Sequence, residues 1–194
     1  MSGRPKIFNE EEVIQKAIDV FWKKGYEASS TEELLSAMGI GKSSFYLAFK
    51  GGKKELFEKA MKQRSDQALQ RLEKGLEESE NKIEFLKSLF RNIADTKSNR
   101  YLNGCLLGNS IAELSNTNEE LKIKASSLLL KLELVFLKII KEAQAAKKIK
   151  SREDPEMLAR YLLTIWNGLN ISVRMHPDPK FLKPLIEKQL ELLN

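Results

Sequence analysis

Gly41-Lys42-Ser43 is the first stretch whose residue types could do chemistry, because Gly-Lys-Ser closes the phosphate-binding loop of many nucleotide hydrolases. Such a loop also needs a glycine five residues before the Gly-Lys pair, a strand in front and a helix behind. Here Ser36 holds that place and the residues before it have helical periodicity, so no pyrophosphate cradle is expected. Other catalysis is equally undersupplied. One histidine, His176, and one cysteine, Cys105, cannot build a multi-His or multi-Cys metal site. A Ser-His-Asp triad would have to use His176 beside Pro177, and there is no G-x-S-x-G elbow. The expectation is no enzyme, no metal and no cofactor. Cys105 follows Gly104 near the start of an expected helix, a position that suits a reactive thiolate. Sensing of oxidants or electrophiles is one reading of it, and a small buried hydrophobe is the other.

A different chemistry suits the same segment. In GIGKSSFYLAF, Ile40, Phe45 and Phe49 recur at helical spacing, which leaves Lys42, Ser43, Ser44, Tyr46 and Leu47 on the opposite side. Lys42 can donate to guanine O6 and N7 or to a phosphate, and Ser43 and Ser44 to either. Tyr46 is placed to offer its hydroxyl to a phosphate. A short helix joined to another by a glycine-containing turn has the organisation of a helix-turn-helix. Periodicity alone is equally compatible with a solvated amphipathic helix in an interaction module without DNA affinity.

The elements that must position these residues read as helices throughout. Apolar residues recur at three and four, with no Asn-Gly or Asp-Gly hairpin turn, so the fold class is all-α. Asn9 before Glu10-Glu11-Glu12 starts a helix that Gly25 ends, and Ser30-Thr31-Glu32-Glu33 reads as a capping box for the next. Lys50-Gly51-Gly52 reads as a soft joint before a long helix over 53–76. Further helices are expected at 82–97, 105–115, 118–147, 154–175 and 179–193.

A chain of 194 residues with 42% hydrophobic content can bury a real core. The net charge of +6 is modest, and residues 1–52 carry seven basic and seven acidic side chains, so DNA binding must rest on where charges sit. The richest apolar run, Leu128 to Ile140, is interrupted by Lys131, Glu133 and Lys138, and MSGRPKIFNEEE lacks a signal peptide's apolar core. A single cysteine fits a reducing compartment. The expectation is a soluble cytoplasmic protein with no membrane partner.

Residues 3–61 resemble the N-terminal domain of the tetracycline-repressor (TetR) family of transcriptional regulators. The matching pieces are GRPK, FWKKGYEASS, TEELLSAMGI, GKSSFYLAF and KKELFEKAM, in order. The resemblance implies a DNA-binding domain over 1–52 and a helical effector-binding and dimerisation domain over 53–194. It implies a homodimer, usually a repressor, that binds a palindromic operator in double-stranded DNA. It implies phosphate contacts from Ser29, Ser30 and Lys53, a reading surface of Lys42, Ser43, Ser44, Tyr46 and Leu47, and a basic arm carrying Arg4 and Lys6. The step from Phe49 to Leu56 is one residue longer than is usual, which leaves Lys53 and Lys54 as alternatives, and Ala48 stands where a histidine is common.

The remaining two-thirds match more loosely, chiefly through NGCLLGNSIAELS over 103–115. The resemblance places a small-molecule effector, largely apolar or aromatic by default, between these helices. Phe85, Leu106, Phe136, Tyr161 and Trp166 are candidate walls, and Asn109 and Asn167 candidate polar anchors. The last two helices read as the dimer-forming pair. Thr164, Gly168 and Ser172 form a small-residue row that allows close approach, and Leu182, Leu185 and Ile186 face it from the last helix.

Overall fold

The computed structural model describes residues 8–95 and 103–194. Every regular element among them is helical. Helix α1, Glu10–Lys24, starts where the Asn9 side chain accepts the N–H groups of Glu11 at 3.0 Å and Glu12 at 3.4 Å. Three glutamates in its first turn suit the positive end of the helix. Helix α2, Thr31–Met38, is capped by Ser30, whose hydroxyl accepts the Glu33 N–H at 3.1 Å. The reciprocal half of the expected capping box is missing, because the Glu33 carboxylate pairs with Lys24 at 2.6 Å. Gly39 closes α2, and α3, Lys42–Ala48, follows at once.

Helix α4, Gly52–Glu78, begins one residue earlier than expected, and its start is not a soft joint. The Gly51 N–H donates to Glu55 Oε2 at 2.8 Å and the Gly52 N–H to the Phe49 carbonyl at 2.8 Å. Gly52 has φ +64°, a backbone that L side chains rarely adopt. The expected 82–97 helix is α5, Lys82–Arg91, followed by a 3-10 turn, Asn92–Ala94; residues 96 and 97 lie outside the described ones. Then come α6, Leu106–Leu114, α7, Glu119–Ala145, α8, Pro155–Met175, and α9, Pro179–Leu190, which ends in a 3-10 turn, Glu191–Leu193.

The core has two parts. One joins α1 to α4 through Ile18, Phe21, Leu34, Phe45, Phe49 and Phe57, and continues into α6 and the first half of α7. The other joins α5, the second half of α7, α8 and α9 around Phe90, Phe136, Leu162 and Ile186. Leu132 and Trp166 pack against both. No helix among the described residues is long and apolar enough to cross a membrane.

Candidate nucleic-acid interface and effector cavity

Helix α3 is held by its apolar side. Phe45 and Phe49 are fully buried with ring centroids 5.4 Å apart, and Leu34 and Met38 of α2 are buried in the same core. That fixes the rotation of α3 and turns its other side outward. Lys42 and Ser43 are exposed and Ser44 is half-buried, while Tyr46 is 45% and Leu47 71% exposed. The Tyr46 ring leans on the edge of Phe45 at 5.0 Å, so an aromatic is presented outward in a set position. Gly41-Lys42-Ser43 joins two helices rather than a strand to a helix, which removes the geometry of a nucleotide loop.

The phosphate contacts implied by resemblance divide. Ser30 is exposed at the head of α2. Ser29 is fully buried, and its hydroxyl donates to the Gly25 carbonyl at 2.6 Å, so it cannot reach a phosphate. Lys53 is turned inward as well. Its ammonium donates to the carbonyls of Tyr26 at 3.0 Å and Ser29 at 3.2 Å and sits over the Tyr26 ring at 4.4 Å. Those carbonyls belong to the α1–α2 turn, so Lys53 ties the start of α4 to that turn. The alternative, Lys54, pairs with Glu120 of α7. The cation that sequence reasoning passed over is Lys50, exposed just beyond α3 and without an ion pair among the described residues. Its position after Phe49 was legible, but nothing in its neighbours distinguished it from a solvated turn lysine. Arg4 and Lys6 lie outside the described residues.

A half-open cavity of about 300 Å³ lies between α1, α4, α6, α7 and α8. Leu106, Phe136 and Trp166 line it, as expected from the helix pattern, together with Leu72, Leu128 and Leu132. Asn109 and Asn167 do not. They line a separate groove of about 560 Å³ between α6, α8 and the end of α1. Asn109 is also committed, its amide donating to the Asn103 carbonyl at 2.9 Å. Phe85 lines neither space, because it packs against Gly75 of α4 so closely that a Cβ there would fall 2.2 Å from its ring. Tyr161 is 46% exposed on the outer side of α8. Sequence reasoning missed Trp22, Arg64 and Arg71, which line the cavity from α1 and α4. Cys105 borders both spaces as the N-cap of α6, its sulfur accepting the Gly108 N–H at 3.5 Å. Next to it, the Trp22 indole donates to the Gly104 carbonyl at 3.0 Å and ties α1 to the start of α6. Among the described residues no group of three or more His, Cys, Asp and Glu could hold a metal ion.

The expected dimer residues also divide. Thr164 and Gly168 are exposed and Ser172 is half-buried on the outer side of α8. Met157, Tyr161, Ile171 and Met175 extend the same stripe at steps of three and four, all exposed. From α9, Leu185 and Phe181 are exposed, whereas Leu182 and Ile186 are each 1% exposed in the second core and cannot meet a partner. A buried face and an exposed apolar face of α9 share the same helical spacing, which is why Leu182 and Ile186 were grouped with Leu185.

These features have close parallels. The HTH-type transcriptional repressor DhaR of Mycobacterium sp. (strain GP1) is 28% identical over 186 residues, which span 93% of this chain and 91% of DhaR. The HTH-type transcriptional repressor ComR of Escherichia coli (strain K12) is 29% identical over 174 residues, 89% of this chain and 82% of ComR. Among solved structures, a cysteine mutant of the TetR-family transcriptional regulator CifR, complexed with 26-base-pair double-strand operator DNA, superposes with a TM-score of 0.82 at 27% identity. That match covers 98% of this chain and 100% of the other. Residues 13–60 match the family described as bacterial regulatory proteins, tetR family, and residues 82–187, over half the chain, match the tetracyclin repressor-like C-terminal domain. The chain belongs to the tetracycline-repressor (TetR) family of bacterial regulatory proteins.

Proposed function

We propose that the protein is an effector-responsive DNA-binding transcriptional regulator, a repressor that binds a palindromic operator as a homodimer. Residues 1–52 form the reading head and residues 53–194 the effector-binding and dimerising part. One observation carries this reading: α3 is fixed by Phe45 and Phe49 and presents Lys42, Ser43, Ser44, Tyr46 and Leu47 together on its outer side. Inserted in a major groove, Lys42 and the serines donate to base edges or phosphates, and Leu47 offers apolar contact to a thymine methyl. Tyr46, Ser30 and Lys50 reach the backbone and set the register. The operator complex of the CifR mutant supports the same use of this fold.

The outer stripe of α8 with Phe181 and Leu185 of α9 supplies a self-complementary apolar face for a two-fold dimer. A dimer would hold two copies of α3 about 34–36 Å apart, one turn of DNA. An effector in the cavity between α1, α4, α6, α7 and α8 touches the helices that connect this face to the reading heads, and so can change their separation. We assign no catalytic activity.

The direct test is binding of labelled DNA from upstream of the protein's own gene across a salt series. The expected outcome is a saturable complex of two chains per site whose affinity falls steeply with salt. No complex at low salt would leave only a helical interaction module.

A further inference from the structure

The cavity is lined mostly by apolar side chains, with Ser65, Cys105 and Asn170 as neutral polar ones and two arginines. Arg64 and Arg71 are its only charged lining residues among the described ones, and no Asp or Glu is present. They stand two turns apart on the same side of α4. Both also line a shallow outer groove with Trp22, so the guanidiniums mark the place where groove meets cavity. Arg64 is half-buried and lies over the Trp22 ring at 4.6 Å, which sets the plane of its guanidinium. Asp19 is the one acid lining the outer groove among the described residues, and it does not line the cavity. On the inner wall, the buried indole N–H of Trp166 has no hydrogen-bond acceptor among the described residues. The other polar side chains of the lining, Ser65, Cys105 and Asn170, are neutral, so the only formal charge at the cavity is positive.

We propose that the effector is a small monoanionic amphiphile, a carboxylate on an aliphatic or aryl body. Its carboxylate is taken by Arg64 and Arg71 at the cavity mouth, and its body lies along Leu72, Leu128, Leu132 and Phe136. A guanidinium carries five N–H donors in a planar fork that matches the two oxygens of a carboxylate. An acceptor atom on the ligand satisfies the Trp166 N–H. The volume, about 300 Å³, restricts the body to the small end of ligand sites. The inference deepens, and rests on, the reading of the chain as an effector-responsive regulator. It replaces a merely apolar effector with an anionic one.

Both tryptophans of the chain, Trp22 and Trp166, line this cavity, so intrinsic fluorescence reports its occupancy. The probes are octanoate and 4-phenylbutyrate, each set against its primary amide, with octylamine as the cationic counterpart. We expect saturable quenching in which each acid binds about tenfold more tightly than its amide, with octylamine weakest. Arg71→Gln and Arg64→Gln should each remove most of that preference while changing amide affinity about twofold or less, and Arg71→Lys should retain part of it. Circular dichroism checks folding; if Arg64→Gln fails to fold, the exposed Arg71 decides. Equal affinity for acid and amide, preference for amide or amine, or no saturable acid binding would each overturn the proposal. Operator binding by the unliganded protein is scored separately by anisotropy of labelled upstream DNA. A protein that prefers acids but binds no DNA keeps the anion site and loses the regulator reading. One that binds DNA but not acids does the reverse.

Discussion

The carboxylate of Glu113, at the far end of α6, accepts the backbone N–H of Tyr26 at 3.0 Å and that of Glu27 at 2.8 Å. These are charge-assisted bonds to the turn that sets α2 against α1. Gly25 is required beside them, since it has φ +85° and a Cβ there would lie 2.6 Å from Glu113 Oε2. Helix α6 thus begins at the cavity with Cys105 and Leu106 and ends clasping the reading head.

We predict that this clasp carries the effector signal. Glu113→Ala should cost about 1–2 kcal/mol in stability, because the bonds are only partly buried. Its larger effect should fall on coupling, with the ratio of operator affinities without and with effector dropping toward one. Measuring both affinities by anisotropy decides it, and an unchanged ratio in a folded variant would remove Glu113 from signal transfer.

On α3 the outer residues should separate by role. Lys42→Ala and Leu47→Ala should each weaken the operator complex by about 1–3 kcal/mol and relax preference at one base position if they read base edges. Lys50→Ala should weaken all sequences alike and reduce the salt slope by about one if it neutralises a phosphate. Competition against a library of single-base operator variants distinguishes the two patterns. Wild-type affinity in all three would show that another surface reads DNA.

The start of α4 should be stiff and acid-sensitive. Gly52→Ala forces a side chain into φ +64°, and we expect a loss of about 1–2 kcal/mol in urea unfolding. The Gly51 N–H, followed by Lys59, holds the Glu55 carboxyl below its ordinary value of 4.5. A folded-state value below the unfolded one means that Glu55 contributes stability above the ordinary carboxylate range and loses it as pH falls through the lower, folded value. Glu55→Gln should therefore lower stability near neutral pH and flatten part of the loss on acidification, read from urea midpoints across a pH series. Parallel pH curves for variant and wild type would contradict this.

Gly168 offers a clean test of assembly. Within one copy, a Cβ at Gly168 meets nothing within 4 Å, and leucine is a good helix former. Gly168→Leu should leave the fold of each chain intact yet separate two copies that approach along α8. Sedimentation should then give monomers where the wild type gives dimers. A dimer that persists in the variant would place the contact elsewhere.

Much of the fold was legible because helix ends announce themselves in single residues. Asn9 and Ser30, read as caps in the sequence, each accept a backbone N–H at the start of a helix, and Asn81, Asn118, Asp154 and Asp178 do the same in the structure. The outward set on α3 was legible for a related reason, since the burial of Phe45 and Phe49 leaves its neighbours nowhere else to point. The errors arose where a residue's environment depends on distant chain. Ser29 and Lys53 look like surface polar residues until the α1–α2 turn and α4 come together around them. Arg64 looks like part of the solvated face of an amphipathic helix until the Trp22 ring of α1 lies against its guanidinium. Leu182 and Leu185 are indistinguishable in sequence, yet one lies in the core and the other faces outward.

The apolar stripe along α8 and α9 also bears on cellular abundance. If the paired chain alone covers Ile171, Met175 and Phe181, mass action makes the folded population depend on total protein, because association withdraws chains from the unfolded pool. Below the dissociation constant, single chains would display that stripe to proteases and to one another. Above it, each added chain protects its partner. The protein would then have a minimum working level set by its own surface, and dilution at cell division would clear it faster than the intrinsic stability of one chain implies.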